Sequence, residues 1–270
     1  MSRIDDRFAD LKSRGEKAFI PYITVGDPTL ARTEELVLAF EKAGADLVEL
    51  GVPFSDPLAD GPVNQESAMR ALEHDVTLAD ILAMVTRIRE QSEMPLLLFT
   101  YYNPVLAYGE EKLAQDAKAA GVDGILCVDL PPEEGEGLIA AFQAAELNTV
   151  FLLAPTSTPG RIDLVAKHST GFIYYVSRTG TTGVRDHVES SVQDMVATIK
   201  SKTDAPVAVG FGISNPDQAA EVASYGDGVV VGSAIVRRIG ELRDSPDMVE
   251  RVASFVRTLA AGAKGGAVSA

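Results

Sequence analysis

Eight times along this chain a strand-length apolar run is followed by helical material, and the runs are continuous rather than alternating. They span 18–25, 46–50, 95–101, 123–128, 148–153, 171–176, 206–211 and 227–231. A strand that is apolar on both faces belongs in a parallel sheet covered on both sides, since a half-solvated strand would alternate. Eight βα units in 270 residues fit the length of a closed (β/α)8 barrel, about 250 residues. The competing arrangement, an open doubly wound sheet, usually carries Gly-x-Gly-x-x-Gly after its first strand. Here that turn reads Thr24-Val25-Gly26-Asp27-Pro28. The expected fold is therefore α/β, a (β/α)8 TIM barrel with an extra N-terminal helix.

Local signals agree with this frame. Ile4, Phe8 and Leu11 recur at helical spacing, which predicts a short amphipathic helix over residues 1–14. Asp27 stands where an N-cap would, with Pro28 at the first helical position. Pro95 and Pro206 enter two strands at their first residue, where a missing N–H is tolerated. No linker or charge block divides the chain, so residues 1–270 read as a single domain. Residues 260–270, rich in Ala and Gly, read as a disordered tail.

The charge balance narrows the partners. A net charge of −15 argues against nucleic acid and anionic membranes, both of which need a basic footprint. An anionic ligand would have to be held by local dipoles. One cysteine, Cys127, excludes a disulfide framework, and His74, His168 and His187 lack ligand spacing, so no metal is indicated. No apolar run approaches the length of a membrane span, and the N-terminus has no apolar core of a signal peptide. A cytoplasmic protein is expected.

In a barrel the chemistry sits at the C-terminal ends of strands. The second strand carries Glu49 between apolar neighbours, where an inward carboxyl would have a raised pKa suited to acid–base work. An outward, solvated Glu49 is the plainer alternative. The following loop offers Asp56 and Asp60; each precedes a turn, and composition does not choose between them. Near the C-terminus, Gly212 follows the seventh strand and Gly232-Ser233 opens a helix after the eighth. Loops in those positions commonly form a phosphate site, because free N–H groups and the helix dipole converge there.

These pieces together resemble the α subunit of tryptophan synthase, from end to end apart from the tail. The most specific stretch is 47–62, Leu-Val-Glu-Leu-Gly-Val-Pro-Phe-Ser-Asp-Pro-Leu-Ala-Asp-Gly-Pro; segments 101–104, 129–132, 174–183, 210–213 and 232–236 support it. The resemblance implies retro-aldol cleavage of indole-3-glycerol phosphate to indole and glyceraldehyde 3-phosphate. It implies Glu49 as acid–base residue, Asp60 as acceptor for the indole N–H, and Tyr174 as an active-site tyrosine. Tyr22 and Phe211 would lie beside the substrate, with Gly183, Gly212, Gly232 and Ser233 around its phosphate. Loops 53–62 and 177–190 are expected to close over substrate, Thr182 swinging toward Asp60. Tyr22 departs from the family pattern, which favours phenylalanine there.

The family also implies a pyridoxal-phosphate-dependent β subunit in an α2β2 complex, receiving indole for L-tryptophan synthesis. No cofactor is expected in this chain. Two alternatives stand beside this reading. One is another phosphate-binding barrel, an isomerase or epimerase of sugar phosphates. The other is a non-catalytic activator of the β subunit.

Overall fold

The computed structural model describes residues 2–177, 185–210 and 212–265, with helical backbone alone for 185–191. Among these residues are nine parallel strands: β1 (Ala18–Thr24), β2 (Val48–Gly51), β3 (Leu96–Thr100), β4 (Gly124–Cys127), β5 (Asn148–Thr149), β6 (Leu152–Leu153), β7 (Ile173–Val176), β8 (Val207–Gly210) and β9 (Gly228–Val231). They pair in the order β5-β4-β3-β2-β1-β9-β8-β7-β6. The two ends of that order are halves of one stretch, 148–153. Within it the Val150 N–H donates to the Ile125 carbonyl (2.9 Å), and the Phe151 carbonyl accepts from the Tyr174 N–H (3.2 Å). That stretch joins both edges, so eight staves close into a barrel. The strands fall within two residues of the predicted runs at each end.

Two apolar cores follow from the alternation of side chains along each strand. Outward residues such as Val48, Leu50, Leu96, Leu98, Val229 and Val231 pack under the helical ring. Inward residues, among them Ile20, Leu47, Leu97, Leu126, Phe172 and Val230, fill the barrel. Helix Arg3–Arg14 closes the bottom of that second core with Ile4, Phe8 and Leu11, and Phe8 lies 5.6 Å from the Phe172 ring. This helix is well terminated. Ser2 and Asp5 form a capping box, and Gly15 ends it in the left-handed region.

Two expectations are corrected. Asp27 is not an N-cap: helix Leu30–Lys42 starts later and is capped by Thr29, whose side chain accepts from the Arg32 N–H. Asp27 is buried and accepts from Arg70 Nε (2.8 Å), Arg70 Nη2 (2.7 Å) and Ser67 Oγ (2.6 Å). A two-pronged bond to a guanidinium is stronger than one backbone cap bond, so the carboxylate goes there. The tail expected from residue 260 also begins too early. Helix Met248–Ala263 takes in its first four residues, with Ala260, Gly262 and Ala263 buried, and residues 266–270 lie outside the described residues. Small residues there serve close packing: a Cβ on Gly262 would strike the backbone of Pro216.

Candidate active site

Leu47 faces the barrel interior, and a side chain two residues further along a strand faces the same way. Glu49 therefore points inward, level with Tyr22 of β1 and Leu97 of β3. It is completely buried, and neither carboxyl oxygen has a hydrogen-bond partner among the described residues. Burial pushes its pKa well above the usual carboxylate range, because nothing nearby offsets loss of water around the ion. Burial therefore favours the protonated carboxyl over the carboxylate at this position.

Above Glu49 lies a cavity of about 400 Å3 at the C-terminal mouth. Tyr22, Phe99 and Tyr174 wall it, with Phe99 edge-on to Tyr22 at 5.1 Å. Gly212, Gly232 and Ser233 line its other side, where helix Ser233–Leu242 begins without a side-chain cap. The first N–H groups of a helix have no partner within it, and the helix dipole makes that end positive. Arg237, one turn further along the helix, lines the same cavity.

Asp60 is half-buried on the loop after β2 and is not part of the cavity lining. Its carboxylate accepts from the Tyr101 hydroxyl (2.9 Å), which itself accepts from the Ala59 N–H (3.0 Å). Desolvation raises the Asp60 pKa, while hydrogen bonds from Tyr101 and Asn64 pull it back. Asp56, by contrast, is exposed, and its carbonyl accepts from the Leu58 N–H in a tight turn. The two aspartates that composition could not separate thus differ in environment.

The structure brings together Tyr22, Glu49, Tyr174, Gly212, Gly232 and Ser233, with Asp60 at the rim. Thr182, Gly183 and Phe211 lie outside the described residues. Sequence reasoning missed Tyr101, Asn64 and Arg237. It also missed why two glycines stand at strand ends. A Cβ on Gly51 would collide with the Tyr22 hydroxyl, and one on Gly210 with the Tyr174 hydroxyl. Both phenols fit beside the carboxyl only because those positions have no side chain. For Gly51 the available signal was a glycine two residues after a strand carboxylate, on the same face of the strand.

Fold and site define a (β/α)8-barrel enzyme with a buried, unpartnered carboxyl at its mouth. The model of the family "Tryptophan synthase alpha chain" matches residues 8–264. The chain belongs to that family. It is 52% identical over 262 residues to the tryptophan synthase alpha chain of Geobacter sp. (strain M21), covering 97% of this chain and 98% of that one. Among solved structures, tryptophan synthase subunit alpha from Legionella pneumophila str. Paris superposes with a TM-score of 0.91 at 37% identity, covering 97% and 98% of the two chains. The matching chain in M. tuberculosis tryptophan synthase (open form with BRD0059 bound) gives 0.87 at 34%, covering 97% and 99%. The family's reaction is a lyase reaction, cleavage of indole-3-glycerol phosphate, which supplies indole to a β subunit. The family match leaves no ground for the sugar-phosphate isomerase alternative. Among the described residues no helix is long and apolar enough to cross a membrane.

Proposed function

We propose that Glu49 is the acid–base group of the cleavage and Asp60 the partner of the ring nitrogen, the whole chain acting as one barrel unit. Glu49 donates its proton to the indole carbon that bears the side chain. Positive charge then develops on the ring nitrogen, whose N–H donates to Asp60. The carbon–carbon bond breaks with its electron pair returning to the ring, and the glycerol hydroxyl becomes the aldehyde as Glu49 takes its proton. The carboxyl is thereby restored. The observation carrying this reading is a buried, unpartnered carboxyl that opens on the same cavity as an uncapped helix start.

The other residues take supporting roles. Tyr174 and Tyr22 flank the ring, and Gly212, Gly232 and Ser233 receive the phosphate through backbone N–H groups. The family resemblance adds Thr182, Gly183 and Phe211 to the same site. Release of indole from indole-3-glycerol phosphate by the purified chain is the direct test. A non-catalytic activator would release none, even with a β subunit present.

The two carboxyls also set a pH dependence. Cleavage needs Asp60 ionised and Glu49 protonated, so kcat/KM follows a bell. The acid limb falls above the usual aspartate range, because burial raises Asp60. The alkaline limb falls well above the usual glutamate range, because burial raises Glu49. A profile that declines from an ordinary carboxylate pKa upward would contradict the assignment of Glu49 as acid.

Tyr101 is placed to hold Asp60 in position. Tyr101→Phe is expected to lower kcat about tenfold, the scale of one hydrogen bond to a charged group. Its kinetics beside an unchanged circular dichroism spectrum decide the point; an unaltered kcat removes Tyr101 from the mechanism.

The partner is inferred to be a β subunit carrying pyridoxal phosphate, in an α2β2 assembly. Leu58 and Leu106 follow the ends of β2 and β3 and are 83% and 60% exposed, which suits a covered mouth. Co-purification with a β subunit is expected, the cofactor absorbance travelling with β alone. Failure to co-elute, with Leu58→Asp behaving like the parent chain, would count against this surface.

A further inference from the structure

The proposed phosphate site holds a puzzle of charge. The chain carries −15, and its field repels a phosphorylated substrate. Screening confines that repulsion, since the Debye length is about 8 Å at physiological ionic strength, so charges inside the cavity outweigh distant ones. Among the described residues that line the cavity, one side chain is cationic, Arg237, and one is a carboxylic acid, Glu49. Burial disfavours the charged form of Glu49 and raises its pKa.

We propose that Arg237 reads the phosphoryl group of the substrate and sets the preference for phosphorylated over unphosphorylated substrate. Three observations support it. Arg237 lies four residues after Ser233 in helix Ser233–Leu242, and positions four apart share a helix face. It borders the same cavity as Gly212, Gly232 and Ser233. None of the ion pairs among the described residues engages it, whereas its neighbour Arg238 pairs with Glu241 at 3.8 Å. Guanidinium geometry matches two phosphoryl oxygens at once, which a helix end alone cannot do. Backbone N–H groups accept any anion of suitable shape; a guanidinium adds full charge and direction.

This inference rests on the phosphate site proposed above, and the experiment separates the two. The full chain and its Arg237→Gln and Arg237→Lys variants are compared on indole-3-glycerol phosphate and on the dephosphorylated indole-3-glycerol. The wild type is expected to favour the phosphorylated substrate strongly in kcat/KM. Arg237→Gln is expected to reduce that preference about tenfold, the loss carried by KM, and to flatten the dependence of KM on ionic strength. Arg237→Lys recovers part of the loss, keeping charge without the fork. If the wild type prefers phosphate and Arg237→Gln keeps the full preference, Arg237 is not the reader, though the phosphate site stands. If the wild type shows no preference, the phosphate site itself fails and the inference fails with it.

Discussion

Glu49→Gln is expected to cost 10²–10⁴-fold in kcat, the span attributed to a positioned proton-transfer group, while leaving affinity for glycerol 3-phosphate intact. The same variant is expected to be more stable than its parent at neutral and alkaline pH. The sign follows from linkage. Burial raises the folded-state pKa of Glu49, so the folded protein holds this proton more tightly than the unfolded chain does. Its contribution is fully present below the ordinary glutamate range and is lost as pH rises toward the raised value. Glutamine needs no proton, so the stability gap opens upward from the ordinary range and widens until pH reaches the raised value. Denaturant unfolding of both proteins across pH reads this directly. Equal stability at all pH values, or substantial turnover by the variant, would remove Glu49 from its role.

Arg70→Met is expected to destabilise the protein by about 3 kcal/mol, the lower end for removing one partner of a buried pair. The lower end applies because a quarter of the Arg70 side chain reaches water, whereas Asp27 is 1% exposed. Methionine fills similar volume but leaves the Asp27 carboxylate with Ser67 alone. Two controls sharpen the reading. Asp27→Leu combined with Arg70→Met is expected to recover most of the loss, since no buried charge then remains unpaired. Activity of Arg70→Met should also fall, because Arg70 ties the turn after β1 to helix Pro62–Leu72, whose first residues line the cavity just beyond Asp60. An unfolding midpoint matching the parent would show that the pair contributes nothing net.

The period of the apolar runs was enough for the barrel, because burial on both faces leaves a plain mark on each strand. Glu49 was legible for the same reason: a charged residue inside such a run has few ways to be accommodated. Asp27 misled, since Asp before Pro satisfies a local rule for helix starts while its actual partners, Ser67 and Arg70, lie about forty residues away. Spacing along a chain carries no trace of such a pair. Tyr101 gripping Asp60 is hidden in the same manner. The continuation of the last helix through residue 263 was obscured because Ala and Gly resemble loop composition, although here they allow close helix contact. Gly51 and Gly210, to which the sequence assigned no role, are spaces reserved for phenol rings.

The helix at the base of the barrel bears on product traffic. Among the described residues, Ile4, Phe8 and Leu11 stopper the floor of the barrel, and the cavity over Glu49 lies at the opposite end. Indole formed above that floor leaves toward the mouth rather than through the base. Whatever sits over the doorway then decides whether the molecule is handed on or lost to water.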